Sequence, residues 1–267
     1  MTIHILNCVS MSPWWPRWHL GGVCLLLETD KGPLLVDTGL GLHDYENPST
    51  LVRFYIADTG IHMDAEQAAV RQIIRFGWKP EDVHHIVMTH LHFDHAGGLP
   101  DFPGSQIHVY SPEYAAMCKP RGLVERMAYN KPDFDHDVHW VLHNKVDTRW
   151  FEFDAIRLDF EPEMYLIPLP GHTRGHCGVA IRDGSGWLFH AADALPTNAE
   201  FDLLPSWIYK LVIGPHVPRL KAFADSHPEV RILAGHMWME WFEKNGRTRT
   251  KIPSGDLNDT RTRSKSQ

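Results

Sequence analysis

The sequence predicts an α/β fold in which two similar αβ halves pack sheet against sheet with helices outside, in one domain over residues 1–243. Three observations carry this. Strand-like and helical patterns follow one another as strands, helix, strand, helix, then strands, helix, strand again, the order of a layered α/β architecture. The composition is globular, with 43% hydrophobic and 22% charged residues. A chain of 267 residues is long enough to bury a sizeable core.

Residues 3–9 and 23–29 read as strands, and residues 33–36 as a third, joined to the second by a turn at Lys31-Gly32. Residues 64–76 form the clearest helix: Asp64 and Gln67 fit a capping box, Ala69, Val70, Ile73 and Ile74 form one apolar stripe, and Gly77 stops it. A short buried strand at 86–88 runs straight into a histidine-rich turn. Residues 106–110 are a strand and 112–119 a short helix. Residues 120–146 show no clear period and read as a long loop, functional by its length. Residues 150–160 alternate as strands do, and 165–169 is a strand ending at Pro170-Gly171-His172. Residues 179–181 and 187–190 form a hairpin around Asp183-Gly184-Ser185-Gly186 that leads to Asp193. A helix at 217–225 precedes a strand at 230–234 that ends at Gly235-His236.

Residues 244–267 form a basic, polar tail carrying +5, read as disordered. With a net charge of −7, the body therefore carries −12. An acidic body suits a phosphate backbone poorly, which argues for a small-molecule substrate and against nucleic acid. Cys8, Cys24, Cys118 and Cys177 form no close pair, so neither a disulfide framework nor a cysteine-rich zinc site is expected. No signal peptide and no run of roughly 18 apolar residues is apparent, so the expectation is a cytoplasmic chain off the membrane.

The sharpest feature is His90-x-His92-x-Asp94-His95, a spacing that nineteen scattered histidines do not explain. Two histidines at i and i+2 leaving a strand point the same way and can reach one metal. Asp94 and His95 lie past the turn, at the start of a short helix, while Leu91 and Phe93 face the core. Imidazole and carboxylate donors suit Zn²⁺, and also Fe or Mn. Further elements end in the same style, at His172, Asp193 and His236.

Val36-Asp37-Thr38-Gly39, the segment from Thr89 to Gly98, Pro170-Gly171-His172-Thr173-Arg174-Gly175-His176, Asp193 and Gly235-His236, in that order, resemble the motifs of the metallo-β-lactamase superfamily. The resemblance implies a four-layer αβ/βα sandwich, two mixed sheets flanked by helices, with two divalent metal ions at one edge. By that resemblance His90, His92 and His172 would hold one ion, Asp94, His95 and His236 the second, and Asp193 would bridge them. It also implies that a metal-bridging hydroxide attacks the carbonyl of a small ester. Asp94 would either pass a proton to the leaving group or act only as a ligand. Asp37 would support a ligand from behind or simply close a strand-end turn. No cysteine replaces a ligand, unlike in many true β-lactamases.

The complete His/Asp set looks like the hydrolytic branches, with a lactone or acyl ester as leading substrate and a glyoxalase II-type thioesterase as alternative. Lactonases of this group place a Tyr three residues after the bridging Asp. Here that residue is Pro196, with Asn198 or Tyr209 as candidate stand-ins. The thioesterase reading ranks second because no Lys/Arg cluster precedes the tail. The rival class is a non-hydrolytic di-iron redox or binding member of the fold, which would normally bring a flavin domain or partner. Trp14-Trp15-Pro16-Arg17-Trp18 could pin a loop, line a pocket or form a homodimer surface. The run from Met237 to Phe242 is either core or pocket wall. His136, His139 and His143 are candidate extra ligands, and His176 and His190 read as core or supporting residues.

Overall fold

The computed structural model describes residues 1–14, 17–197 and 215–245. The strands are β1 Thr2–Met11, β2 Leu20–Thr29, β3 Gly32–Val36, β4 His85–Val87, β5 Gln106–Tyr110, β6 His139–His143, β7 Thr148–Trp150, β8 Phe153–Leu158, β9 Met164–Pro168, β10 Cys177–Asp183, β11 Gly186–Thr197 and β12 Val230–Trp238. The helices are α1 Leu42–Glu46, α2 Thr50–Thr59, α3 Ala69–Arg75, α4 Phe93–Ala96, α5 Ser111–Cys118, α6 Gly122–Ala128, α7 Val217–Ser226 and α8 Met239–Asn245. The expected mixed α/β architecture is present. The two halves run into one curled sheet, ordered β6-β5-β4-β3-β2-β12-β11-β10-β9-β8-β7, with β1 on the free edge of β2.

β2 is the seam between the halves. Its start pairs with the end of β12 (Gly22 opposite His236), its end pairs with β3, and β1 runs antiparallel along its other edge. Strand alternation splits its side chains between two cores. Val23, Leu25 and Leu27 join the core built mostly from the second half, with Phe189 of β11 and Phe223 of α7. Cys24 and Leu26 join the core under the helices of the first half, with Val52 of α2 and Ile73 of α3. Both faces of β2 are therefore buried, which explains why it reads as a continuous apolar run.

Several expectations change in detail. The helix over 64–76 is broken: a 3-10 turn Ala65–Gln67 comes first, Ala68 has extended backbone, and α3 starts only after it. Asp64 caps Glu66 N–H in that short turn, so no capping box with Gln67 forms. The long loop 120–146 contains α6, a 3-10 turn Lys131–Phe134 and edge strand β6. β6 alternates weakly because it is an edge strand with half-exposed side chains. Helices α1 and α2 were not anticipated. The mean alternation of residues 42–59 is blurred by polar residues, and α2 buries only Val52 fully. Trp18 packs edge-on against Trp238, as loop pinning would have it, while Trp15 and Pro16 lie outside the described residues. Met237 and Phe242 are core residues. Of the tail, residues 246–267 lie outside the described residues. No helix among the described residues is long and apolar enough to cross a membrane.

His143 belongs to a histidine ladder across β4, β5 and β6. His85 Nδ1 lies 3.1 Å from His108 Nε2, and His108 Nδ1 lies 3.1 Å from His143 Nε2. Burial, reinforced by its two neighbours, pushes His108 down to about 3. The unfolded chain takes up this proton below about pH 6.5 and the native chain only near 3, so the group's stabilising contribution is complete above pH 6.5 and is lost as pH falls through that window. Urea unfolding followed from pH 6 to pH 4 should show wild-type stability falling more steeply than that of His108→Gln, by up to about 1.4 kcal/mol per pH unit. Equal slopes would show that His108 is not held neutral.

Candidate metal centre

The seven candidate ligands meet in one place, in overlapping groups whose donor atoms lie within 4.8 Å of one another: His90 with His92 and His172, His90 with His95 and Asp193, and Asp94 with His95 and His236. The elements that present them differ from the simple strand-end picture. β4 already ends at Val87, so His90 and His92 sit on the loop that follows, and α4 carries Asp94 and His95. Leu91 and Phe93 do face the core. Asp193 and His236 lie inside β11 and β12, both of which run on past them. Asp193 reaches the site because β11 slips register between His190 and Ala192, and Ala192 adopts φ +45°. A left-handed non-glycine costs roughly 1–2 kcal/mol, and such strain gathers at functional turns. Gly235 leaves the space: a Cβ there would overlap Asp193 Oδ1.

Asp193 divides its carboxylate between the two groups. Its Oδ2 lies 3.2 Å from His172 Nε2, while its Oδ1 lies 3.4 Å from His95 Nε2 and 3.6 Å from His236 Nε2. His172 Nε2 is 2.9 Å from His92 Nδ1, and Asp94 Oδ2 is 3.6 Å from His236 Nε2 and 4.0 Å from His95 Nε2. A metal bonded at about 2.0–2.2 Å to each donor sets neighbouring donors roughly 2.8–3.6 Å apart, from octahedral to tetrahedral, so all of these separations but that of Asp94 from His95 match the edges of a coordination polyhedron. The donors also carry the mark of missing partners. His90 Nε2, His95 Nε2 and Asp193 Oδ1 are buried without a hydrogen bond. Buried polar atoms rarely stay so, and three converging in one spot fit a cation site.

The supporting bonds select the ring atoms that face inward. Asp37 is fully buried, at φ +57° after β3. It accepts from Thr89 N–H (2.8 Å), from Thr89 Oγ1 (2.7 Å) and from His95 Nδ1 (2.9 Å). Because the Thr89 hydroxyl proton goes to Asp37, His90 Nδ1–H donates to Thr89 Oγ1 at 3.1 Å, which leaves His90 Nε2 as a bare lone pair. This is the supporting role expected of Asp37. His176 accepts the Asp193 backbone N–H on Nε2 (3.1 Å), and burial pushes it down to about 3, so it acts as a neutral acceptor behind the site.

The electrostatics follow from the same contacts. Burial, and then the neighbouring imidazoles, drive His90 and His92 well below the ordinary imidazole value. His95 is equally buried but is pushed well above it, because Asp193 and Asp94 face it and Asp37 holds its other nitrogen. Burial would raise Asp37, but His190, whose Nε2 lies 3.8 Å away, and the hydrogen-bonded His95 outweigh it and hold the carboxyl at about 2.

Glu113 of α5 was not anticipated. It is fully buried, and its carboxylate ties together the two loops that carry His90, His92 and His172. Oε1 accepts from Leu91 N–H (3.0 Å) and Tyr129 Oη (3.2 Å), and Oε2 accepts from Thr173 Oγ1 (2.6 Å) and Gly175 N–H (3.1 Å). Burial pushes its pKa up against these four bonds. Gly175 permits the approach, since a Cβ there would overlap the Glu113 backbone. The only sequence signal was a lone acid in an otherwise ordinary helix. Of the other candidate ligands, His143 lies in the ladder and His139 is exposed and faces Asp137 at 3.5 Å. Asn198 and Tyr209 lie outside the described residues.

The sequence profile of the metallo-beta-lactamase superfamily matches residues 17–236. The chain belongs to the metallo-beta-lactamase superfamily. Members of this superfamily bind divalent metals, and one of its structural neighbours is described as a dizinc quorum-quenching lactonase (TM-score 0.52, 18% identity, covering 82% of this chain and 73% of that one). Among its curated relatives, a protein named probable metallo-hydrolase from Mycobacterium tuberculosis is 38% identical over 204 residues, 75% of this chain and 64% of that protein. The match thus spans a little under two thirds of that relative. An N-acyl homoserine lactonase of Bacillus cereus is 34% identical over 185 residues, 67% of this chain and 66% of that one. A solved N-acyl homoserine lactone hydrolase with the product N-hexanoyl-L-homoserine at its metal centre superposes with TM-score 0.66 at 24% identity, covering 91% of this chain and 95% of the other, which shows the shared fold.

Glu113→Gln places an amide N–H₂ against two of the donors it must accept from. The variant should stay folded by circular dichroism and bind Zn²⁺ about 10- to 100-fold more weakly in a competition titration with a chromophoric chelator. Unchanged affinity would show that the two loops hold their ligands without it.

Proposed function

We propose that this protein is a dinuclear metal-dependent hydrolase of a small ester, a lactone or acyl ester. The reading rests chiefly on Asp193, whose two oxygens face two separate sets of donors as a carboxylate bridging two ions would. His90, His92 and His172 would hold one ion, and Asp94, His95 and His236 the other. All-imidazole and carboxylate donors suit Zn²⁺ first, then Fe or Mn. Bound there, two divalent ions would acidify water to a nucleophile at neutral pH and polarise a carbonyl.

The chain's own groups do the rest. Asp37, Thr89 and His176 fix ring and carboxylate orientation from behind, so no reorganisation is needed when charge develops. His172, Asp94 and His236 are 11–14% exposed at the side chain and form the side of the cluster open to a substrate. Asp94 Oδ2 points to His236 at that open side, where it can hold a proton for the departing oxygen. The lactonase relatives support the ester class. Pro196, in the position where a homoserine lactonase would carry Tyr, leaves the acyl and alcohol parts to be set by experiment.

A panel of lactone, acyl ester, thioester, phosphodiester and β-lactam substrates tests this alongside metal analysis. The lactone or acyl ester should be turned over at least about 100-fold faster than the rest. Exhaustive chelation should abolish that activity and Zn²⁺ restore it. His92→Ala and Asp193→Ala should lose turnover and metal while remaining folded. Turnover surviving chelation, a preference for thioester or phosphodiester, or tightly bound iron with a visible band and no esterase activity would each overturn the reading.

A further inference from the structure

A second cluster of donors lies behind α4. Asp44 of α1 and Asp133 of the 131–134 turn are both fully buried, and His43 covers them from outside with its side chain 31% exposed. His43 Nε2 lies 3.3 Å from Asp44 Oδ1 and 3.2 Å from Asp133 Oδ1. One donor atom from each of the three lies within 4.8 Å of the other two. These separations are those of donors sharing one ion, by the same bond-length argument as above.

Two features show that the cluster is unfinished as a set of hydrogen bonds. Asp133 Oδ2 and His43 Nδ1 are buried with no partner, and the Asp133 side chain is 0% exposed. A carboxylate oxygen in that position costs free energy unless something positive meets it. With both carboxylates ionised the charge is also unbalanced, since even a protonated His43 leaves one negative charge over. Burial, and then the charge of Asp133, push Asp44 up to about 7. A dication with a neutral imidazole balances both carboxylates.

The remaining neighbours are compatible with an ion. Asn130 Nδ2 donates to Asp133 Oδ1 (2.6 Å) and reaches Asp44 Oδ1 (3.4 Å), and its Oδ1 accepts from Ser49 Oγ (2.8 Å). Turned by 180°, the same amide would offer an oxygen to the cluster and donate to Ser49 instead. Asp44 Oδ2 accepts from Gly41 N–H at 3.2 Å and packs on Gly97, where a Cβ would overlap it. The cluster therefore bears directly on the end of α4, two residues past His95.

We propose that His43, Asp44 and Asp133 bind a further divalent transition-metal ion, of the zinc or manganese type, that pins α1 and the 131–134 turn against the end of α4. The site is structural, and it stands whether or not the larger cluster holds two ions.

The test uses the full chain dialysed against micromolar Zn²⁺, freed of loose metal by gel filtration and crystallised. An anomalous difference map at the zinc edge should show a peak within bonding distance of His43 Nε2, separate from those in the larger cluster. Zinc content should fall by about one ion per chain in Asp133→Asn and in His43→Gln, with circular dichroism unchanged. His43 is about a third exposed, so its variant keeps the test open if Asp133→Asn fails to fold. No peak at His43 in wild-type crystals, or a zinc content that neither variant lowers, overturns the proposal. A peak at His43 with none among His90, His92 and His172 upholds it while overturning the dinuclear reading.

Discussion

Everything at the candidate centre depends on buried carboxylates that face away from it. Gathering five imidazoles and two carboxylates in an interior is costly, and a ring bonded through its outer nitrogen cannot turn to satisfy itself elsewhere. Asp37 holds one side of the cluster in place. A single carboxylate holds Thr89 by backbone and hydroxyl and His95 by Nδ1, and through Thr89 it sets the His90 tautomer. Glu113 does it for the other side by tying the Leu91 backbone to Thr173 and Gly175. Asp37 thereby decides which ring nitrogens point inward, and Glu113 decides where the loops that bear the rings lie.

The fold supplies the frame for these bonds at a cost it can bear. The seam where β12 meets β2 places His236 beside Gly22, so the last ligand candidate comes from the join between the halves. Asp37 and Ala192 sit in left-handed backbone, just before the elements that face the site. Both are fully buried among well-packed neighbours, which is where such strain can be sustained. Of the three left-handed non-glycine residues among the described residues, only Phe151 lies away from the site.

The arrangement of elements was legible wherever a period was strong and local. β5 at 106–110 is recovered residue for residue, and β2 pairs with β3 as expected, though the turn falls one residue earlier, at Asp30-Lys31, with Gly32 already opposite Thr29. Reading failed where tertiary packing overrides local preference. The apolar stripe at 69–74 implied one long helix, but the chain breaks at Ala68 to bring Val70 and Ile73 onto the core under α2 and α3. β6 has too little burial to leave a period, and its histidines looked like ligands when one of them completes a ladder with His85 and His108. Glu113 was invisible because its four partners come from three separate segments.

What the sequence determined alone is the set of candidate donors. Spacing within the His90 to His95 motif and the recurrence of His or Asp at 172, 193 and 236 are covalent facts, and side-chain chemistry follows from them without coordinates. Only the tertiary structure decided how those donors divide. The register slip in β11 aims the two oxygens of Asp193 at different groups, Asp37 after β3 chooses the ring atoms of His90 and His95 that face inward, and Glu113 of α5 holds the loops that carry the others. The reason is physical: direction, burial and partner are properties of packing between segments far apart in the chain, and no local pattern records them.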